Sequence, residues 1–165
     1  MKARKIFKDC EYAKERLRQA IEQENLEDAK LFWFSALAML RAIGHVLHKV
    51  DAENLGVNFR NALEERYKLW KQDPIFINFI ERERNVILKE YESSLAEQTT
   101  SEVFFLLTES GDRLVTKSGD ALLGTKSITT LMKEQGAYSG NSPIFALDKA
   151  LAWWDKELTE LEKIS

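Results

Sequence analysis

The stretch from Ala29 to Leu47 constrains this chain most, because Ala29, Trp33, Leu37, Leu40, Ile43 and Leu47 recur at spacings of four and three. Residues so spaced share one face of an α-helix, and Leu31, Phe32 and Phe34 extend the apolar surface around much of the girth. A helix apolar on more than one side is stable in water only when other elements surround it. The segment is therefore predicted to be the central helix of a packed bundle, running to about Lys49, with Asn25 as its N-cap and Asp28 favouring the positive end of its dipole.

Partners for it are written on both sides. Ile6, Cys10, Ala13, Leu17 and Ala20 mark an amphipathic helix over 5–23, and Phe59, Leu63, Tyr67 and Trp70 mark another over 55–71. Asp73-Pro74 is a helix start, since aspartate caps and proline fits the first turn. The helix that follows has the stripe Ile77, Ile80, Arg84, Ile87, Tyr91 and Leu95, in which Arg84 is the single charged member. Ser142-Pro143 repeats the start signal for a last helix over 143–163, with Leu147, Ala150, Leu151, Trp154, Leu158 and Leu161 facing inward. Of the adjacent Trp153 and Trp154 only one can face the bundle, which leaves Trp153 for a dimer contact.

Between Gln98 and Ser142 the character changes. Val103 to Leu107 has strand propensity, Ser110-Gly111-Asp112 has turn chemistry, and Arg113 to Thr116 fits a returning strand. A short helix is expected over 127–135, and no internal repeat is apparent. The predicted class is mainly α: a single domain, 1–165, built as an antiparallel four- to five-helix bundle with a small β-hairpin or irregular insertion before the C-terminal helix. The four-helix core spans 5–98, the insertion 99–142 and the closing helix 143–163.

Charge and cysteine content narrow the function. Twenty-four basic and 27 acidic residues give a net charge of −3, which argues against broad, sequence-independent nucleic-acid binding and leaves room only for a local basic patch. One cysteine, Cys10, excludes an internal disulfide or a cysteine-rich zinc site and suits a reducing compartment, so a cytoplasmic location is expected. The basic start lacks the apolar stretch of a secretory leader, and the Leu31–Leu40 run is too short for a bilayer, so no membrane association is expected.

A guanidinium on an apolar stripe needs a reason. Asn85 and Lys89 align one turn apart, and Arg84 projects about 100° to one side of them, so a cation, an amide and an amine are expected to reach one groove suited to an anion such as phosphate. The bland alternative is a snorkelling Arg84 paired with a glutamate of a neighbouring helix. Arg84-Asn85 followed by Lys89-Glu90-Tyr91 resembles the fourth-helix signature of HEPN domains, in which an arginine and a polar residue precede a histidine, often with a tyrosine two residues on.

The resemblance implies a helical bundle that dimerises around its fourth helix, with the motif residues of two chains facing one cleft. It further implies RNA or a nucleotide as ligand, an antitoxin-like protein as a further partner, a stress or defence role, and catalysis without a metal or cofactor. Arg84, Asn85, Lys89 and Tyr91 are then the site residues. Lysine at the histidine position departs from the pattern, because an ordinary lysine is protonated at neutral pH and takes no proton. The resemblance with that departure implies a non-catalytic or weakened binding protein, the alternative being an active metal-independent endoribonuclease and the third reading a purely structural interaction domain.

Other motifs carry less. His45 and His48 stand three apart but lack a third ligand, so no metal site is expected. Arg41 and His48 also meet the loose arginine-to-histidine spacing, but Ala42 lacks the polar character expected after the arginine. Gly119 to Ser127 misses the phosphate-binding loop by one residue, Thr125, and is read as a glycine loop.

Overall fold

The computed structural model describes residues 1–90 and 93–164, apart from the side chains of Leu88 and Glu90. Its helices are α1 (Lys2–Glu22), α2 (Leu26–Val46), α3 (Ala52–Asn54), α4 (Val57–Trp70), α5 (Arg82–Glu90) and α6 (Pro143–Glu162). Wider π-helical turns, Leu47–Asp51 and Phe76–Glu81, continue α2 into α3 and precede α5. Strands β1 (Leu95–Phe105) and β2 (Leu123–Lys133) form one antiparallel ribbon.

The central helix is where its pattern puts it. Ala29, Trp33, Leu37, Leu40, Ile43 and Leu47 are fully buried, and α1, α5 and α6 all pack on α2. Although the Leu26–Asn54 span is long and apolar enough by composition to cross a membrane, here it is the spine of the bundle. The inward faces of α1, α4 and α6 follow their spacing too, and Cys10 lies in the core with its thiol pushed up to about 12 by burial. Caps agree with the chemistry of the residues. Asn25 accepts from the Asp28 N–H and Ser142 from the Phe145 N–H. The first turn of α1 is capped at a distance, because the buried carboxylate of Asp51 accepts from the N–H groups of Lys2 at 2.8 Å and Ala3 at 2.9 Å.

Three sequence expectations are corrected. The stripe of the fourth helix differs in part, because Ile80 and Ile87 are buried as expected while Phe76 and Glu83 take the inward places expected of Ile77 and Arg84. The buried positions are Phe76, Phe79, Ile80, Glu83 and Ile87, whereas Ile77 is exposed and Leu95 belongs to β1. The expected strands at 103–107 and 113–116 are replaced by the much longer β1 and β2, and the helix expected over 127–135 is the second half of β2. Thr125, Ile128, Thr129 and Thr130 favour strand, and pairing with Thr100 and Thr99 of β1 decides the matter. Trp153 is half-buried: its indole donates to Asp73 Oδ2 at 2.9 Å, and its ring packs against Trp70, Phe76 and Trp154.

The third correction is an internal repeat. Thr108-Glu109-Ser110-Gly111-Asp112 and Thr116-Lys117-Ser118-Gly119-Asp120 are the same turn eight residues apart. In each, the glycine N–H donates to the threonine carbonyl, the threonine N–H to the aspartate carbonyl, and the aspartate N–H to the threonine hydroxyl. Gly111 and Gly119 have φ of +89° and +91°, a conformation that favours glycine. The two turns cap small lobes closed by the bridges Leu107↔Arg113 and Val115↔Ala121. At their junction with the ribbon the Leu114 N–H donates to the Leu106 carbonyl, that of Leu122 to Leu114, and that of Leu106 back to Leu122. The arm therefore ends in a three-leaved tip with a closed ring of backbone hydrogen bonds.

At its base the arm is fixed to the bundle. Lys133 Nζ, wholly buried, lies 2.6 Å from Glu83 Oε1 and 3.0 Å from the Ser94 hydroxyl, which donates to the other Glu83 oxygen. Lys30 and Glu97 form an exposed pair at 2.9 Å nearby.

Candidate functional site

The start of the fourth helical segment is built as the sequence suggests, with Asp73 Oδ1 accepting from the Ile75 N–H at 2.8 Å. The π segment leads directly into α5. Glu83 takes the inward place, and Arg84, one residue on, emerges half-buried at the edge of the α2–α5 seam. Its Nη1 donates to Asn85 Oδ1 at 2.8 Å, and among the described residues it forms no salt bridge to a glutamate.

Arg84 opens onto a cleft of about 330 Å³ whose other wall is α2, through Ala38, Arg41, Ala42 and His45. The two alanines leave room between the helices, while Arg41 and His45, four residues apart, stand on one line. Arg41 is held in place by Glu81 at 3.5 Å and by the ring of Phe76, whose centroid is 5.9 Å away. Among the described residues the lining has two guanidinium groups and an imidazole and no acid, a set that suits an anion.

Asn85 and Lys89 do not share that cleft. They line an adjoining groove of about 610 Å³, with Asn78, Glu81, Arg82 and Gln135, in which the charges are mixed. The expected convergence of Arg84, Asn85 and Lys89 is thus divided between two faces of α5, and Asn85 joins them through the hydrogen bond that it accepts from Arg84. Lys89 is exposed. Tyr91 lies outside the described residues.

Arg41 and His45 are the site residues that the sequence reading missed. The signal was present: Ala38, Arg41, Ala42 and His45 fall within two turns of the central helix, with arginine and histidine one turn apart. His48, three residues beyond His45, turns the other way. Its ring meets Tyr67 edge-on at 4.7 Å, Nε2 is buried without a partner among the described residues, and burial holds its pKa below the ordinary value. Among the described residues no three histidine, cysteine, aspartate or glutamate side chains are grouped as metal ligands. The glycine run at 119–127 is the second turn of the tip followed by β2, not a phosphate loop.

A larger groove of about 680 Å³ lies between α1 and α6, and several of its charges pair with one another. Arg4 reaches Asp155 at 2.6 Å and Glu162 at 2.8 Å, and Lys14 reaches Asp148 at 2.5 Å. Comparison with family models, curated proteins and solved structures gives no match to this chain.

Proposed function

We propose that this protein is a HEPN-like helical bundle, non-catalytic or catalytically weakened, that binds the phosphate backbone of RNA or the phosphates of a nucleotide in the cleft between α2 and α5. The observation that carries this reading is the meeting of Arg84, Arg41 and His45 on a cleft with no acid among its described lining residues. Guanidinium groups suit phosphate because their planar fork donates two parallel hydrogen bonds. Against a net charge of −3, such a patch supports modest, salt-sensitive affinity rather than general nucleic-acid binding. Lys89, at the histidine position of the resemblance, lines the neighbouring groove, which favours binding over cleavage. A cytoplasmic role in stress or defence, with an antitoxin-like partner, belongs to the same reading.

His45 favours the second reading, an active metal-independent endoribonuclease, because its imidazole shares the wall with Arg84 and is the type of group that moves protons near neutral pH. One experiment separates the two. A labelled single-stranded RNA is titrated with protein in EDTA, and both its anisotropy and its integrity are followed. Binding that falls at least roughly tenfold in Arg84→Ala and in Arg41→Ala, with the RNA intact, supports the first reading. Cleavage lost in Arg84→Ala and in His45→Asn supports the second. Affinity for RNA and for nucleotides unchanged by either arginine substitution overturns the cleft assignment.

A further inference from the structure

At the base of the arm a hydroxyl completes the buried pair. Ser94 Oγ donates to Glu83 Oε2 at 2.5 Å, while Lys133 Nζ donates to Glu83 Oε1 at 2.6 Å and to Ser94 Oγ at 3.0 Å. The three side chains close a triangle in which the serine proton points at a carboxylate and the serine oxygen receives an ammonium N–H. Lys133 and Glu83 are buried, but Ser94 is half-buried, and Ser94 and Glu83 both line a pocket of about 50 Å³ with Arg82 and Gly136. Gly136, at φ +74°, suits that place, because a Cβ on it would come within 2.8 Å of Glu83 Oε1. The pocket shares Arg82, Val86 and Gln135 with the groove of about 610 Å³ that Asn78, Asn85 and Lys89 line.

We propose that Ser94 is the nucleophile of an acyl-transfer site, with Glu83 as its general base, and that the substrate is a short-chain acyl ester. The inference is independent of the α2–α5 cleft. Its first ground is geometry: a nucleophile stands within hydrogen-bond reach of a base, and a third group fixes that base. The second ground is that a buried ion pair adds little stability over apolar side chains of the same shape. A pair that only held the arm needs neither a hydroxyl nor an opening, and this one has both. The third ground is charge. When the serine proton passes to Glu83, the negative charge moves from the carboxylate to an oxygen that already faces the Lys133 ammonium, so the enclosed site keeps its net charge.

The reaction follows from these contacts. Ser94 Oγ bonds to the carbonyl carbon as its proton passes to Glu83 Oε2, and the carbonyl electron pair moves onto oxygen, for which Arg82 supplies positive charge at the pocket wall. When that pair returns, the bond to the alcohol oxygen breaks and the alcohol leaves with the proton from Glu83. Water then attacks the acyl-serine in the same way, releasing the acid and restoring the hydroxyl. Since a water takes up about 30 Å³ in the liquid, the pocket admits an acyl group about the size of acetyl, and the alcohol part lies among the amides of the groove.

Methanesulfonyl fluoride, whose sulfur bonds to an activated serine oxygen as fluoride leaves, tests the nucleophile on the whole chain. The expected result is one adduct, located at Ser94 by peptide mass spectrometry, absent from Ser94→Ala and formed at least roughly a hundredfold more slowly on wild type unfolded in urea. With p-nitrophenyl acetate, nitrophenolate release should exceed that of Ser94→Ala at least roughly tenfold. Ser94 left unmodified on the folded wild type overturns the proposal, whatever the variant does. So does an adduct at Ser94 that forms equally fast on the unfolded chain, since the triangle then activates nothing. An adduct on Ser94 without nitrophenolate release above the variant overturns the acyl-transfer assignment. The Arg84→Ala and Arg41→Ala titrations with RNA do not involve Ser94, so either assignment can fail alone.

Discussion

Lys133 Nζ lies 2.6 Å from Glu83 Oε1, and both side chains are shut away from solvent. This pair joins the last residue of β2 to α5, so it fixes the base of the arm to the helix that carries Arg84. The ammonium also lies 5.6 Å from the ring centroid of Trp33 and 5.7 Å from that of Phe79, whose faces favour a cation. Burial pulls the lysine pKa down and the hydrogen bond to Glu83 opposes it.

Removing one member of such a pair is expected to cost far more than removing both, because a lone buried charge has nothing to replace its hydration. Glu83→Gln should lower stability by about 3–5 kcal/mol in urea unfolding, whereas Glu83→Leu combined with Lys133→Met should recover much of the loss. Equal losses in the single and double variants would show that the packing, not the charge pair, matters at this point.

Asp51 caps a helix to which it does not belong, accepting from the N–H groups of Lys2 and Ala3. Asp51→Ala should cost about 1–2 kcal/mol and speed hydrogen exchange in the first turn of α1, leaving the α6 amides as they are. Exchange at residues 2–5 that stays at the wild-type rate would refute the cap.

His48 gives the fold a pH dependence. Burial is the main cause of its lowered pKa, and the nearby charges of Arg41, His45 and Lys49 add to it, with Glu64 opposing. Since the folded value lies below the ordinary 6.5, the unfolded chain takes up the proton first as pH falls. The stability contribution is therefore present above about pH 6.5 and is lost as pH falls through the folded value. His48→Phe, which keeps a ring against Tyr67, should flatten the urea midpoint between about pH 7 and 5 relative to wild type. An identical slope in the two proteins would count against a buried neutral imidazole.

Much of the bundle was legible because local spacing and burial agree. Every inward residue expected on the central helix, and every one on α6, is in the core, and the caps at Asn25 and Ser142 form as their side chains predict. The candidate site was legible only in part. Arg84 was identified from its position on a stripe, but Glu83 takes the inward place beside Ile80 and Ile87, and Asn85 and Lys89 line another groove. Arg41 and His45 acquire meaning only from the helix opposite them.

The arm marks the same boundary. Its turn residues can be read directly from the chain, since Ser, Gly and Asp favour turns, and the apolar spacing of the helices likewise marks which faces avoid water. Where β1 and β2 begin and end, and that Leu106, Leu114 and Leu122 close a ring, depend on residues far apart in sequence bonding one another. Side-chain periodicity determined the faces of the helices, because it is a local property of the backbone. Tertiary structure alone decided which charges share a cleft, because that depends on how one helix is rotated against the next.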